Sequence, residues 1–182
     1  MNKRMVNPEI GYPLYPIILV GAGEVGGEMT LSTITLAAHV CERPPKMAIG
    51  VMPARQTHQL IERTGEFTCN MPLDTWVELS DWVGTRSGRD YEKFERWGIT
   101  PVVGQKVKAP MVAESPLSLE CVVEQKISLG SHDLFIAGVV AAHIRSEYLE
   151  GDRLAPGRLM TLVQLVGYCR AGEYLDRLGC TE

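Results

Sequence analysis

The chain has 182 residues, 45% of them hydrophobic and 22% charged, with a formal net charge of −4. This length fits one domain spanning 1–182, and the composition supports a packed core rather than a disordered chain. The negative balance argues against a nucleic-acid partner, because neutralising phosphates needs a basic face. No apolar run approaches the ~20 residues of a membrane helix.

Cysteines stand at 41, 69, 121, 169 and 180, an odd number without a Cys-x-x-Cys pair. A zinc ribbon or iron–sulfur site is therefore not expected. The simplest reading is a reduced, cytoplasmic protein. Residues 1–16 lack the apolar run of a signal peptide. The histidines are not at metal-ligand spacing, so no protein-bound metal is expected.

Tyr15 to Val20 is short and β-branched and reads as a strand ending at Gly21. A glycine-rich turn follows, and Met29 to Val40 is ambiguous between strand and helix. Pro44-Pro45 interrupts the chain before a buried strand over Met47–Met52. Thr57 can cap a helix over His58–Arg63, closed by Gly65. Glu66 to Met71 reads as a strand, Asp74–Val83 and Asp90–Trp97 as short helices. Leu117–Ile127 and Leu134–Ile144 form a hairpin about Gly130-Ser131. Arg158 to Cys169 is an apolar segment of open type, with a polar end beyond it. This order, β with helices inserted, suits a barrel better than strict βαβ alternation.

Gly21-Ala22-Gly23-Glu24-Val25-Gly26 matches the dinucleotide fingerprint G-x-G-x-x-G. The helix that should follow is dense in β-branched residues, and the next strand ends at Pro53-Ala54-Arg55 with no acid to hold a ribose. A glycine-rich hairpin loop is the favoured reading; an Arg accepting a 2′-phosphate keeps the other open.

Arg55, Thr57 and the helix start at His58 offer a guanidinium, a hydroxyl and a helix N-terminus within four positions, the set a phosphate dianion requires. An ordinary solvated cap is the alternative. Ser87-Gly88 is a small close-approach loop or a plain turn, and Lys93 faces either a ligand phosphate or solvent. His39 and His143 read as core or interface residues. Trp76, Trp82 and Trp97 read the same way, and Cys41 and Cys69 as buried small hydrophobes.

Four stretches in order carry a resemblance: Met29-Thr30-Leu31-Ser32-Thr33 with Pro44-Pro45; Met52 to Ile61 leading into Gly65–Pro72; Ser87 to Phe94 with Gly98-Ile99-Thr100; and Leu119-Glu120-Cys121 with the hairpin Gly130–Val139. Together they resemble the flavin reductase-like family, which includes flavoredoxins and archaeal ferric reductases. The resemblance spans about residues 15–150 and leaves 151–182 as a C-terminal extension. It implies a split β-barrel that binds FMN, as a homodimer with the flavin near the interface. In that pattern Met29, Thr30, Leu31, Ser32 and Thr33 line the ring edge. The turn Pro53, Ala54, Arg55, Thr57, His58 receives the phosphate, and Ser87, Gly88 and Lys93 lie at the cofactor. Glu28 stands where the family often has Asn, and Thr33 where Trp is frequent.

The resemblance also places His132 where a hydride donor would stack, with a role in positioning nicotinamide; as residues alone, His132 reads equally as a polar turn histidine. The implied activity is an NADH- or NADPH-dependent oxidoreductase passing electrons through FMN. The alternatives are an FMN carrier docking on a redox partner protein, or a barrel that has lost its flavin.

Overall fold

In the computed structural model, which describes residues 4–5, 7, 14–151, 153–154, 162–164 and 168–170, the apolar runs become one seven-stranded antiparallel sheet. Its members in chain order are β2 (Ile18–Gly23), β3 (Met29–Ile34), β4 (Ala37–Glu42), β5 (Pro45–Val51), β6 (Glu66–Asn70), β9 (Leu117–Ser128) and β10 (Asp133–Ile144). Two short pieces, β7 (Pro101–Val103) and β8 (Pro110–Val112), pair with each other. The spatial order is β3-β2-β6-β9-β10-β5-β4.

The ambiguous stretch Met29–Val40 is two strands, β3 and β4, which are consecutive in sequence yet lie at opposite ends of that order. The link between them folds back on β5, where the Gly50 amide donates to the Leu36 carbonyl at 2.7 Å. The sheet is thereby rolled into a split β-barrel, with a seam where β3 approaches β5.

The interior is filled by alternate residues of the strands, among them Val20, Ile49, Phe67, Cys121 and Phe135, and by Leu60 and Ile61 of helix α1 (Gln56–Thr64). Each fully buried large side chain contributes about 1.5–3 kcal/mol. A second cluster forms outside the barrel. There Leu79 and Val83 of helix α2 (Val77–Thr85) and Phe94 of helix α3 (Lys93–Trp97) pack on Leu19 and Leu31. Half-buried Trp76, Trp82 and Trp97 flank that cluster, packed on its margin rather than in its centre.

The helices begin at other residues than the pattern suggested. Arg55, not Thr57, is the N-cap of α1, and it caps through backbone geometry alone. The Thr57 hydroxyl is instead engaged across the seam, 2.7 Å from that of Ser32. Helices α2 and α3 start three residues late. A turn closed by Trp76 N–H to Leu73 O occupies the expected first turn of α2, and one closed by Asp90 N–H to Ser87 O ends where α3 was expected to begin. Gly65 closes α1 in the left-handed conformation, φ 70°, as expected.

The glycine motif is hairpin, not nucleotide loop. Gly21 and Gly23 belong to β2, which pairs antiparallel with β3. A side chain at Gly21 would overlap the Pro110 carbonyl, and Gly23 has φ +93°. Those glycines serve close strand packing and a turn.

The strands β7 and β8 were not foreseen, because each is three residues long and starts with proline. The C-terminal apolar segment contributes β13 (Leu162–Gln164) and β14 (Tyr168–Arg170), with β13 pairing on β1 (Tyr15–Pro16). Just before it, β11 (Leu149–Glu150) and β12 (Arg153–Leu154) form a small ribbon. The rest of the stretch 158–169 and the polar end 173–182 lie outside the described residues. No helix among the described residues is long and apolar enough to cross a membrane.

Candidate functional site

The barrel seam opens into a cavity of about 350 Å³, bounded by the end of β3, the β5–α1 turn, the α2–α3 loop and His132. That size is within the usual range for a small-ligand pocket, about 300–1,000 Å³. Arg55, Arg86, Arg89 and Lys93 line it, and among the described residues no Asp or Glu does. The chain is acidic overall, so this is a local concentration of positive charge.

The N-terminus of α1 opens on the same cavity. It has no acidic residue in its first turn and no side-chain cap, so the positive end of the helix dipole is left unscreened. Neither Arg55 nor Arg86 forms an ion pair among the described residues. Arg89 makes a long contact to the Ala54 carbonyl, 3.4 Å, which ties the α2–α3 loop to the β5–α1 turn.

Lys93 is buried rather than solvated. Its Nζ donates to the carbonyls of Leu31 at 2.9 Å and Val83 at 2.6 Å. Burial, helped by the charge of Arg55, pushes its pKa down to about 8. A buried ammonium held only by carbonyls lacks a countercharge, and an anionic ligand in the cavity would supply one.

Beside it are polar atoms with no partner. Gln56 donates through Nε2 to Glu28 at 3.1 Å, and Glu28 is paired with Arg63 at 2.8 Å. Gln56 Oε1 and Thr30 Oγ1 are then buried without hydrogen bonds, and a side chain at Gly88 would overlap both. Glycine at 88 lets the α2–α3 loop settle onto this floor.

Of the residues singled out in the sequence, Ser32, Thr33, Ala54, Arg55, Thr57, Ser87, Gly88, Lys93 and His132 line the cavity. Met29, Thr30 and Leu31 lie further back on β3 and do not line it. Pro53 is exposed in the turn and likewise does not line it. His58 is buried with its ring turned away, Nε2 2.8 Å from Asp133 Oδ2 and Nδ1 3.3 Å from Glu62. It also meets Phe135 edge-on at 5.1 Å. The Asp133 carboxyl is held below its usual range, first by the hydrogen bond from His58 and then by one from Ser128.

Gln56, Arg86 and Arg89 were not foreseen. Each adjoins a residue that was, and a count of charges around the Ser87-Gly88 turn would have found both arginines.

His132 is half-buried, its Nδ1 2.9 Å from the hydroxyl of Ser131. His39 is exposed on β4 and is not a core residue, because β4 ends the sheet order and turns that side chain outward. His143 is half-buried and bonded at 2.5 Å to Glu120, so its surroundings are not purely apolar. Cys69 is buried, and Cys41 only half-buried.

Spacing along the chain did not show that His58, Glu62 and Asp133 come within 4.8 Å of one another. Lys126 already lies among those carboxylates, bonded to Glu62 and 3.6 Å from Asp133. An ammonium there supplies the positive charge that a metal would.

Residues 13–163 match the flavin reductase like domain. An uncharacterized protein of Pyrococcus abyssi is 30% identical over 148 residues, covering 78% of this chain and 80% of that protein. The flavoredoxin of Methanosarcina acetivorans superposes with a TM-score of 0.91 at 25% identity, over 100% of this chain and 97% of that one. The flavoredoxin of Desulfovibrio vulgaris gives 0.87 at 27% identity, over 97% of each. The match over most of the chain and the shared split barrel lead to one conclusion: this chain belongs to the flavin reductase-like family.

Proposed function

We propose that this chain is an FMN flavoprotein that accepts electrons from a reduced nicotinamide nucleotide and passes them to an acceptor such as free flavin, ferric iron or a redox protein. The observation that carries the reading is the basic cavity where Arg55, the open N-terminus of α1 and buried Lys93 converge, with no acid in its lining among the described residues. That set fits a phosphate dianion: a guanidinium for a bidentate contact, helix amides, and an ammonium in need of a countercharge. Ser32 and Thr57 add hydroxyls, and the Ser87-Gly88 turn allows close approach.

FMN is favoured over FAD because the glycine motif, the pyrophosphate-loop candidate in the sequence, is consumed by the β2–β3 hairpin. FMN held by Arg55, Lys93 and the α1 N-terminus would supply the two-electron, hydride-accepting chemistry between the reduced nicotinamide and the acceptor. The protein binds, orients and excludes water. His132 stands at the cavity beside the hairpin turn and would hydrogen-bond the nicotinamide carboxamide through Nε2, the nitrogen that Ser131 does not engage. A second copy of the chain would cover the open side of the seam, where exposed Leu36 and Met52 stand; a homodimer is expected.

A second reading is a carrier without nicotinamide activity, favoured by the likeness to two flavoredoxins. Anaerobic stopped-flow reduction of the FMN-loaded protein separates the two. Bleaching by NADH or NADPH, slowed in His132→Ala with FMN affinity retained, supports the enzyme. If no nicotinamide bleaches a protein that dithionite does reduce, the carrier reading stands instead.

A further inference from the structure

The cavity holds more positive charge than one FMN phosphate neutralises. Arg55, Arg86, Arg89 and Lys93 line it without a carboxylate among the described residues, and the α1 N-terminus adds part of another charge. A phosphate monoester carries about −1.5 to −2. Glu28 lies close enough to Arg89 to offset part of that residue's charge. Arg86 has no such partner among the described residues. It is exposed, follows the last turn of α2, and forms no ion pair among the described residues.

We infer that Arg86 binds a second phosphate monoester, the 2′-phosphate of NADPH, and makes the site selective for the phosphorylated nucleotide; this rests on the nicotinamide reading above. Two features point to this group rather than to a bare ribose. A guanidinium free of carboxylates meets a phosphate monoester in a bidentate fork, which an ammonium or a hydroxyl cannot reproduce. Sites that take the unphosphorylated nucleotide commonly offer a carboxylate to the ribose diol, and that carboxylate would repel a 2′-phosphate. Among the described residues, no Asp or Glu lines this cavity. Arg86 also stands on a different element from the phosphate cradle of Arg55 and Thr57, the α2–α3 loop that Arg89 joins to the β5–α1 turn. FMN and a second anion then meet different guanidinium groups.

The test uses FMN-loaded protein and two nucleotide fragments in calorimetric titration, adenosine 2′,5′-bisphosphate and 5′-AMP. The bisphosphate is expected to bind about ten- to a hundredfold more tightly, the worth of a charge-assisted contact. Arg86→Ala should erase that difference, and Arg86→Lys should restore only part of it, while FMN affinity is retained in both. In anaerobic reduction, the ratio of the NADPH rate to the NADH rate should fall by about the same factor in Arg86→Ala. Equal binding of the two fragments, binding of neither, or a ratio unmoved by the substitution overturns the assignment while leaving the flavin reading intact. A chain that takes up no FMN sinks the flavin reading, and this inference with it.

Discussion

His58 Nε2 lies 2.8 Å from Asp133 Oδ2, which fastens the first turn of α1 to the residue immediately after His132. The pair thus links the helix end proposed for phosphate to the hairpin proposed for nicotinamide. His58→Ala is expected to lower the urea midpoint at pH 7. The Asp133 pKa is depressed from 3.8 in the folded state, so its contribution is present above that pH and lost as the carboxyl protonates below it. The deficit of the variant should therefore shrink on acidification below pH 3.8. A deficit unchanged with pH would mean that the ring only fills space against Phe135.

Lys93 gives the cofactor site its own pH dependence. Its pKa is about 8, pushed down by burial and by Arg55. An anion binds the ammonium form, so FMN affinity should level off between about pH 7 and 8, where the phosphate is largely a dianion, and weaken as pH rises through 8. Riboflavin, which has no phosphate, should show a much smaller change. Lys93→Met is expected to abolish the alkaline weakening. Without ligand the sign reverses for stability: a lysine with depressed pKa favours the folded state more as pH rises from about 8 toward 10.5. Fluorescence titrations between pH 6 and 10 decide the first point, and urea melts of the apoprotein decide the second.

Glu120 pins the loop after β7 to the barrel. Its carboxylate is fully buried and accepts the backbone amides of Gln105, Lys106 and Val107 and the ring nitrogen of His143. Burial alone would raise its pKa; the bonds from His143 and the three amides outweigh that and bring it down to about 2. Because the folded pKa lies below the usual 4.5, the stabilisation is present above pH 4.5 and disappears as pH falls toward 2. Glu120→Gln is expected to cost about 1.5–3 kcal/mol at neutral pH, the worth of charge-assisted bonds, and much less near pH 2. Urea unfolding at both pH values measures it, and an equal cost at the two would contradict the assignment.

Much of this architecture could be read from residues in a row. The strand runs Met47–Met52 and Glu66–Met71, the hairpin around Gly130 and the helix closed by Gly65 each carry a local signal. So did Arg55, Thr57, Ser87 and Gly88, which the barrel brings to one cavity. Other features depend on what the chain meets in three dimensions. Lys93 reads as a surface lysine until α3 lays it under β3 and the end of α2, where two carbonyls hold it. Arg86 carries no motif, and only a cavity lining without Asp or Glu among the described residues makes it notable. His58 sits in the right turn, but the depth of Asp133 in the barrel draws its ring inward. Gly21 looked like a nucleotide signature because close packing against Pro110 asks for the same residue as close approach to a pyrophosphate.

The most direct test of the flavin assignment is FMN binding to purified protein and to Arg55→Ala, measured by absorption and fluorescence titration at several salt concentrations. The released cofactor is identified by chromatography. The expected result is a yellow protein that releases FMN, not FAD. Arg55→Ala should bind FMN about ten- to a hundredfold more weakly, with an unfolding midpoint close to that of the parent. A colourless protein that cannot be reconstituted with FMN, or equal affinity in the two proteins at every salt concentration, would contradict it.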